Sequence, residues 1–76
     1  MERRLEKLTA LIEREDKGFV ALCPEFDVAS QGSTVEEARA NLIEALTHSF
    51  ESASEEEISR RSHGEVFITP VEVPVG

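Results

Sequence analysis

Two acidic residues, Glu25 and Asp27, are the pair in this sequence whose type and spacing could do chemistry. Carboxylates two positions apart on a β-strand lie on the same face, where they could act as general acid and base or hold Mg²⁺. A hydrolase that uses these carboxylates is one hypothesis, and a solvated acidic pair near a strand end is the other. Because no independent motif places a third acidic residue beside them, the sequence predicts no catalytic residues and no enzyme activity.

The other reactive residue types lack a recognisable spacing. His48 and His63 are fifteen positions apart, which fits no zinc-ligand pattern. Cys23 lies in an apolar stretch, where cysteine usually serves as a small core residue. Gly32 has no following lysine, so its turn lacks the features of a phosphate-binding loop. We therefore expect no metal and no cofactor.

The charge of the chain limits its partners. Sixteen acidic residues against eight Lys and Arg give a net charge of −8. Such a surface repels phosphate backbones, so direct nucleic-acid binding is not expected. A basic partner fits this charge, although acidity that serves only solubility is the alternative.

Length and the cysteine count set further limits. A chain of 76 residues permits one domain, over 1–76. A domain of this size buries only about 60% of its unfolded surface, so we expect a homodimer or higher homo-oligomer. A single cysteine excludes an intramolecular disulfide, and no signal-peptide pattern or apolar run of about 20 residues is present. These features predict a cytoplasmic protein with no membrane segment.

The first part of the chain is compatible with a β-hairpin. Apolar and polar residues alternate over 8–12, as in a half-buried strand, but the leucines and Ile12 within 2–15 also fit a helical stripe, so the pattern leaves a strand and a helix both open. Residues 15–18 then form a tight turn, in which Gly18 could take a positive φ angle. A buried second strand follows over 19–23.

A third strand and a helix are predicted next. Pro24 lacks an amide hydrogen, so it should end or bulge the second strand before a third strand over 26–30. A turn over 31–33 leads to Thr34 and Glu37, whose spacing is that of a capping box, and the helix should begin at about Val35.

The apolar residues of this helix recur at three and four positions and should cover one face of a sheet. They are Val35, Ala38, Leu42, Ala45, Leu46 and Phe50. Ile43 lies off this stripe and could contact a second subunit.

The C-terminal part predicts a short helical turn and a last strand. The polar segment 52–64 could extend the helix or form a loop, but a second helical turn after a break is favoured. Residues 65–73 are rich in β-branched types and predict a strand, interrupted by Pro70 and therefore at an edge or bulged. The predicted fold is α+β with β-β-β-α-β order, one sheet face covered by the helix and the other available to a second copy.

The run from Gly18 to Leu46 resembles the core of the HicB-like antitoxin family. It combines an apolar strand, Cys-Pro-Glu, a Gln-Gly-x-Thr turn and a helix that opens with Glu-Glu-Ala, and it covers about a third of the chain. The matching residues are Cys23, Pro24, Glu25, Gln31, Gly32, Thr34, Glu37, Ala38, Asn41, Leu42, Glu44 and Ala45.

The resemblance favours a strand over a helix for the first segment, and it implies a fold similar to a reduced ribonuclease H-like fold and a noncatalytic role. HicB-like antitoxins bind and mask small basic HicA-like ribonuclease toxins, whose action on messenger RNA depends on a histidine. The acidic positions expected to bind such a partner are Glu25, Asp27, Glu36 and Glu37.

Family members commonly carry an additional helix-turn-helix or ribbon-helix-helix segment that represses their own operon. This chain ends at Gly76, just after the predicted last strand, so a single-domain member without transcriptional repression is expected. A self-assembling regulator or scaffold with another partner, and a carboxylate- or metal-dependent hydrolase, are the alternatives.

Overall fold

Three antiparallel strands and two helices form an α+β fold in the computed structural model, which describes residues 6–76. The strands are β1 (Leu11–Glu15), β2 (Gly18–Cys23) and β3 (Val28–Gly32), and the helices are α1 (Val35–Glu51) and α2 (Glu55–Arg61). The strand prediction for the first segment is confirmed for β1 but is wrong for 6–10, which form no strand, and the part of it falling on 1–5 lies outside the described residues. Neither helix within 6–76 is both long enough and apolar enough to cross a bilayer.

β1 and β2 form the predicted hairpin, but not through a positive φ at Gly18. Glu15 pairs with Gly18, and Asp16, the first of the two intervening residues, has the positive φ angle, 49°. Asp tolerates this left-handed conformation because its short side chain can bond locally. Gly18 is required for a different reason: a Cβ atom there would lie 2.7 Å from the carbonyl oxygen of Gly32 on β3.

The connection from β2 to β3 is a turn rather than a brief interruption of a strand. β2 ends at Cys23, as the position of Pro24 predicts, but β3 begins at Val28 instead of Phe26. The Asp27 amide donates to the Cys23 carbonyl at 2.8 Å, and Asp27 has a φ angle of 57°. Because the chain reverses here, Glu25 does not share a strand face with Asp27, and that part of the sequence analysis is wrong.

α1 begins at Val35, as predicted, and is capped by Thr34. The Thr34 hydroxyl oxygen accepts the Glu37 amide at 3.0 Å. The Glu37 carboxylate in turn accepts the Ser33 amide at 2.5 Å, one residue before the cap. Two amides that α1 cannot satisfy internally are thereby bonded, which fixes the start of the helix.

The end of β3 lies directly beneath the first turn of α1. A Cβ atom on Gly32 would lie 2.5 Å from the Ala38 amide nitrogen, so only glycine permits this approach. Gln31 and Gly32 still pair with β2, so the turn predicted over 31–33 begins later, at Ser33.

The core lies between one face of the sheet and the apolar stripe of α1. Its buried residues are Ala21, Cys23, Ala38, Leu42 and Leu46, and the partly buried residues around them are Leu8, Ile12, Phe19, Phe26, Val28 and Phe50. The small side chains of Ala21 and Ala38 let the helix approach the sheet closely. The predicted stripe is confirmed from Ala38 onward, whereas Val35 remains 40% exposed; Ile43, off the stripe, is 47% exposed.

α2 confirms the predicted second helical turn after a break. Ser54 and Glu57 form a reciprocal capping box at its start. By contrast, 62–76 contains no strand, so the predicted strand over 65–73 is not confirmed within the single chain. Pro70 removes one amide donor, and no strand lies beside the segment to complete a ladder. The described order is β-β-β-α-α, and similarity to a ribonuclease H-like fold stays a prediction.

Candidate interaction surfaces

The carboxylate of Glu25 is bonded within the chain. It accepts the Thr9 amide at 3.1 Å and the Thr9 hydroxyl at 2.7 Å. The Cys23 thiol donates to the same carboxylate at 3.3 Å. Glu25 therefore ties the segment that precedes β1 to the turn that follows β2.

These contacts set the ionisation of both residues. Partial burial acts to raise the pKa of Glu25, but the hydrogen bonds from the hydroxyl and amide of Thr9 outweigh it and bring the pKa below its ordinary value. Burial raises the pKa of the Cys23 thiol, and its bond to Glu25 raises it further. Cys23 is a buried, protonated core thiol rather than an activated nucleophile.

Asp27 contacts the segment that follows α2. Its carboxylate lies 2.5 Å from the Nε2 atom of His63, and the two side chains are 70% and 55% exposed. The His63 amide also donates to the Glu25 carbonyl at 2.8 Å. The acidic turn thus anchors the root of the C-terminal segment, next to a cleft lined in part by Phe26, Phe50 and Phe67.

The four acidic residues predicted to bind a partner do not form one cluster. Glu25 and Asp27 lie at the start of β3, whereas Glu36 and Glu37 lie in the first turn of α1, beyond its other end. A five-residue strand separates the two pairs by roughly 13 Å. Within 6–76, no three His, Cys, Asp or Glu side chains are grouped so that they could hold a metal ion.

The sheet face opposite α1 carries an apolar centre that the described chain leaves open. Leu11 on β1 pairs with Leu22 on β2, and Leu22 pairs with Ala29 on β3. Val20 lies on the same face, two residues before Leu22. Leu11 is 36% exposed, and Val20 and Leu22 are half-buried. We call this surface, defined by Leu11, Val20, Leu22 and Ala29, the open face.

Acidic residues border the open face on one side. Glu13 pairs with Val20, and Glu15 lies two residues further along β1, so both share the face with Leu11. The sequence predicts that one sheet face is available, and the structure adds Val20, Leu22 and Ala29 to Leu11 as its apolar centre. The sequence of β2 indicates this second apolar face, because Val20 and Leu22 alternate with the buried Ala21 and Cys23 and therefore point to the opposite side of the sheet.

The C-terminal segment is the second surface with exposed apolar groups. Its large exposed side chains are Phe67, Ile68, Val71, Val73 and Val75, which are 80%, 58%, 78%, 69% and 96% exposed. We call residues 65–75 the tail. A run of such residues outside the core is characteristic of a segment with a binding partner.

Comparison with known proteins gives no family for this chain. No family model, no curated protein and no solved structure matches it. The resemblance of 18–46 to HicB-like antitoxins therefore stays a prediction, and the functional argument rests on the chemistry of the two surfaces.

Proposed function

We propose that this protein is a noncatalytic interaction module, antitoxin-like, that binds and masks a small basic ribonuclease of the HicA-like class. The observation that carries the proposal is the open face, an apolar centre with an acidic border on a chain of charge −8. A toxin-binding surface needs both features: apolar area for affinity and charge for selection of a basic partner.

The apolar centre supplies the buried part of the interface. Leu11, Val20 and Leu22 lie side by side on two paired strands and retain exposed area. A partner that covers them removes this area from water, and such fully covered centres contribute most of the binding energy in protein interfaces.

The acidic border selects the partner. Glu13 and Glu15 project from β1 beside the apolar centre. Opposite charge on the partner accelerates encounter, and the acidic border disfavours acidic competitors. Asp27 and Glu36 are also exposed and remain candidate contacts.

The internal bonds of Glu25 support a noncatalytic role. Its two carboxylate oxygens accept bonds from Thr9 and Cys23, so this carboxylate acts as a structural tie. Glu25 and Asp27 are the strongest candidates for acid–base chemistry in the sequence. Both carboxylates instead contact other side chains around the turn, Glu25 with Thr9 and Asp27 with His63.

Two successive experiments test this function. The tagged full chain is first used to capture partners from its host lysate at moderate salt. A captured small basic protein is then purified and assayed for RNA cleavage with and without the chain. We expect stoichiometric inhibition of cleavage. A captured basic protein whose cleavage is unaffected, or recovery of the chain alone, contradicts the antitoxin role.

Charge reversal tests which surface binds. The double variant Glu13→Lys, Glu15→Lys should weaken affinity for the captured basic protein roughly tenfold at low salt, with a smaller effect at high salt. The matched double variant Glu44→Lys, Glu56→Lys makes the same charge change on exposed helix positions and should shift affinity less than about twofold. Equal effects of the two double variants would assign the binding to net charge and not to the open face.

A further inference from the structure

We propose that the tail is an exchanged edge strand, which pairs with β1 of a second copy while the second copy's tail pairs with β1 of the first. The inference rests on surface area, on the spacing of two prolines and on the free edge of the sheet. It uses the tail and the backbone edge of β1, a strand whose side chains also contribute to the open face, and it does not depend on the toxin.

The chain exposes too much surface for a finished monomer. Its accessible area is 6668 Å², whereas a compact monomer of 8.4 kDa exposes about 4,600 Å². Its radius of gyration is 14.7 Å, against about 11 Å for a compact chain of 76 residues. The excess of roughly 2,000 Å² per chain amounts to about 4,000 Å² for two chains, which lies in the range that obligate homodimer interfaces bury in total.

The prolines of the tail leave one edge of it intact. In an extended strand, the backbone N–H and C=O groups of successive residues point to alternate edges. Pro70 and Pro74 have the same parity, so both missing amide hydrogens fall on one edge. The opposite edge keeps every donor, and these donors belong to Phe67, Thr69, Val71, Val73 and Val75.

This one-sided pattern defines a terminal strand. The intact edge can pair with a sheet, and the proline edge cannot accept a further strand. The residues before the two prolines, Thr69 and Val73, are also restricted to extended conformations, which lowers the entropy cost of pairing. A strand of this kind can pair with the edge of a sheet, and no further strand can then pair with it.

The receiving edge is that of β1. On β3, the outer edge is obstructed, because the Asn41 side-chain amide donates to the Gln31 carbonyl at 2.8 Å. That carbonyl points away from β2, so the backbone groups of Val20, which pairs with Gln31, point to β1 and its partner Glu13. Because backbone groups alternate along a strand, those of Ile12 and Arg14 point to the outer edge of β1. In the part of the chain that the structure describes, no strand pairs with that edge.

The root of the tail is fixed at the turn between β2 and β3. The His63 amide is held by the Glu25 carbonyl, and Gly64 follows with a φ angle of +79°. Beyond this point Phe67 to Val75 lie exposed rather than beside β1. Each copy thus offers one strand and one free edge, and a two-fold exchange satisfies both in a closed dimer.

Mass measurement over a concentration series tests the exchange. Light scattering of the full chain at physiological salt should give about 17 kDa, twice the chain mass of 8.4 kDa. A mass of 8.4 kDa at all concentrations overturns the proposal, whether the tail then pairs with its own β1 or serves another partner.

Two proline variants test which edge of the tail pairs in the dimer. Val71→Pro removes a donor from the intact edge in both copies and should raise the dimer dissociation constant roughly 30-fold or more. Glu72→Pro, one position later, removes a donor from the edge that already lacks two and should change the constant less than about threefold. Equal effects of the two variants, or a dimer unaffected by Val71→Pro, would overturn the exchange. Circular dichroism checks that both variants keep the strands and α1.

Amide hydrogen exchange gives a test on the unaltered chain. At concentrations where the dimer forms, the amides of Thr69, Val71 and Val73 should be protected, and those of Ile68 and Glu72 should exchange freely. Ile12 and Arg14 should gain protection together with them. Uniform protection or uniform exchange along the tail would contradict one-sided pairing.

Discussion

The body of the molecule, residues 11–51, and the tail differ in burial far more than in composition. β2 and the tail both consist largely of apolar and β-branched residues. Ala21 and Cys23 of β2 are fully buried, whereas Val75 of the tail is 96% exposed. The difference shows that β-propensity alone does not make a strand, because a strand needs a neighbour for its backbone and a layer for its side chains.

What the body has and the tail lacks is a matching apolar face. The stripe of α1 presents Ala38, Leu42 and Leu46 to the sheet, and both elements are bound to each other by this contact. Within the described residues, the tail beyond Phe67 has no such face. Its root is held through His63, and its first residues line the cleft beside Phe26 and Phe50.

Truncation of a core side chain should give the largest change in stability. Leu42→Ala should lower the free energy of unfolding by about 3 kcal/mol, since Leu42 is 2% exposed and its removal leaves a cavity. Urea unfolding followed by circular dichroism, at a concentration where the chain is monomeric, measures the effect.

Val75→Ala is the matched control in the tail, and under the same conditions it should change the unfolding free energy by less than about 0.5 kcal/mol. If the two substitutions cost the same, the tail belongs to the cooperative unit of the body and the distinction fails.

Removal of a helix cap should give a smaller change in stability, and the effect should differ between α1, which lies in the body, and α2, which lies outside it. Thr34→Ala removes the cap of α1 and should destabilise the body by about 1 kcal/mol, because the Glu37 amide loses its acceptor. Ser54→Ala removes the equivalent cap of α2, which has no buried residue. It should reduce helicity over 55–61 without a measurable change in the unfolding of the body. Chemical shifts measure the helicity of 55–61, and urea unfolding measures the stability of the body.

The smallest test concerns pH and the tie between Thr9 and Glu25. Because the pKa of Glu25 is lower in the folded chain, its ionised form stabilises the fold above the ordinary value of 4.5. Glu25→Gln should therefore cost about 1 kcal/mol at neutral pH. That cost should disappear as the pH falls below 4.5 and the native carboxylate is protonated.

Glu44→Gln, at an exposed helix position, is the control and should change the unfolding free energy by less than about 0.5 kcal/mol. A cost of Glu25→Gln that persists unchanged in acid would mean that the side chain acts through its shape and not through its charge.

Local signals predicted most of the body. The spacing of Thr34 and Glu37 placed the start of α1, Pro24 placed the end of β2, and the three- and four-residue recurrence along α1 identified Ala38 and Leu42 as buried. Each of these signals acts within one turn of helix or one strand, so its physical effect is complete in the local sequence.

The candidate site was predicted less well. Glu25 and Asp27 were treated as a pair on one strand face, but the turn from Cys23 to Asp27 separates them. The partner of the Glu25 carboxylate, Thr9, is sixteen residues away in sequence. No periodicity links two such positions, because only the pairing of β1 with β2 brings them together.

The sequence by itself determined the α+β class, the order of β2, β3 and α1, the cap of α1 and the acidic charge, since these follow from local sterics, hydrogen bonding and composition. The tertiary structure decided three other matters: that Gly18 and Gly32 are needed for close approach, that Glu25 is a structural tie, and that the tail remains unpaired. Each depends on distances between segments far apart in the chain, and on whether a complementary surface is present, which local preferences do not encode.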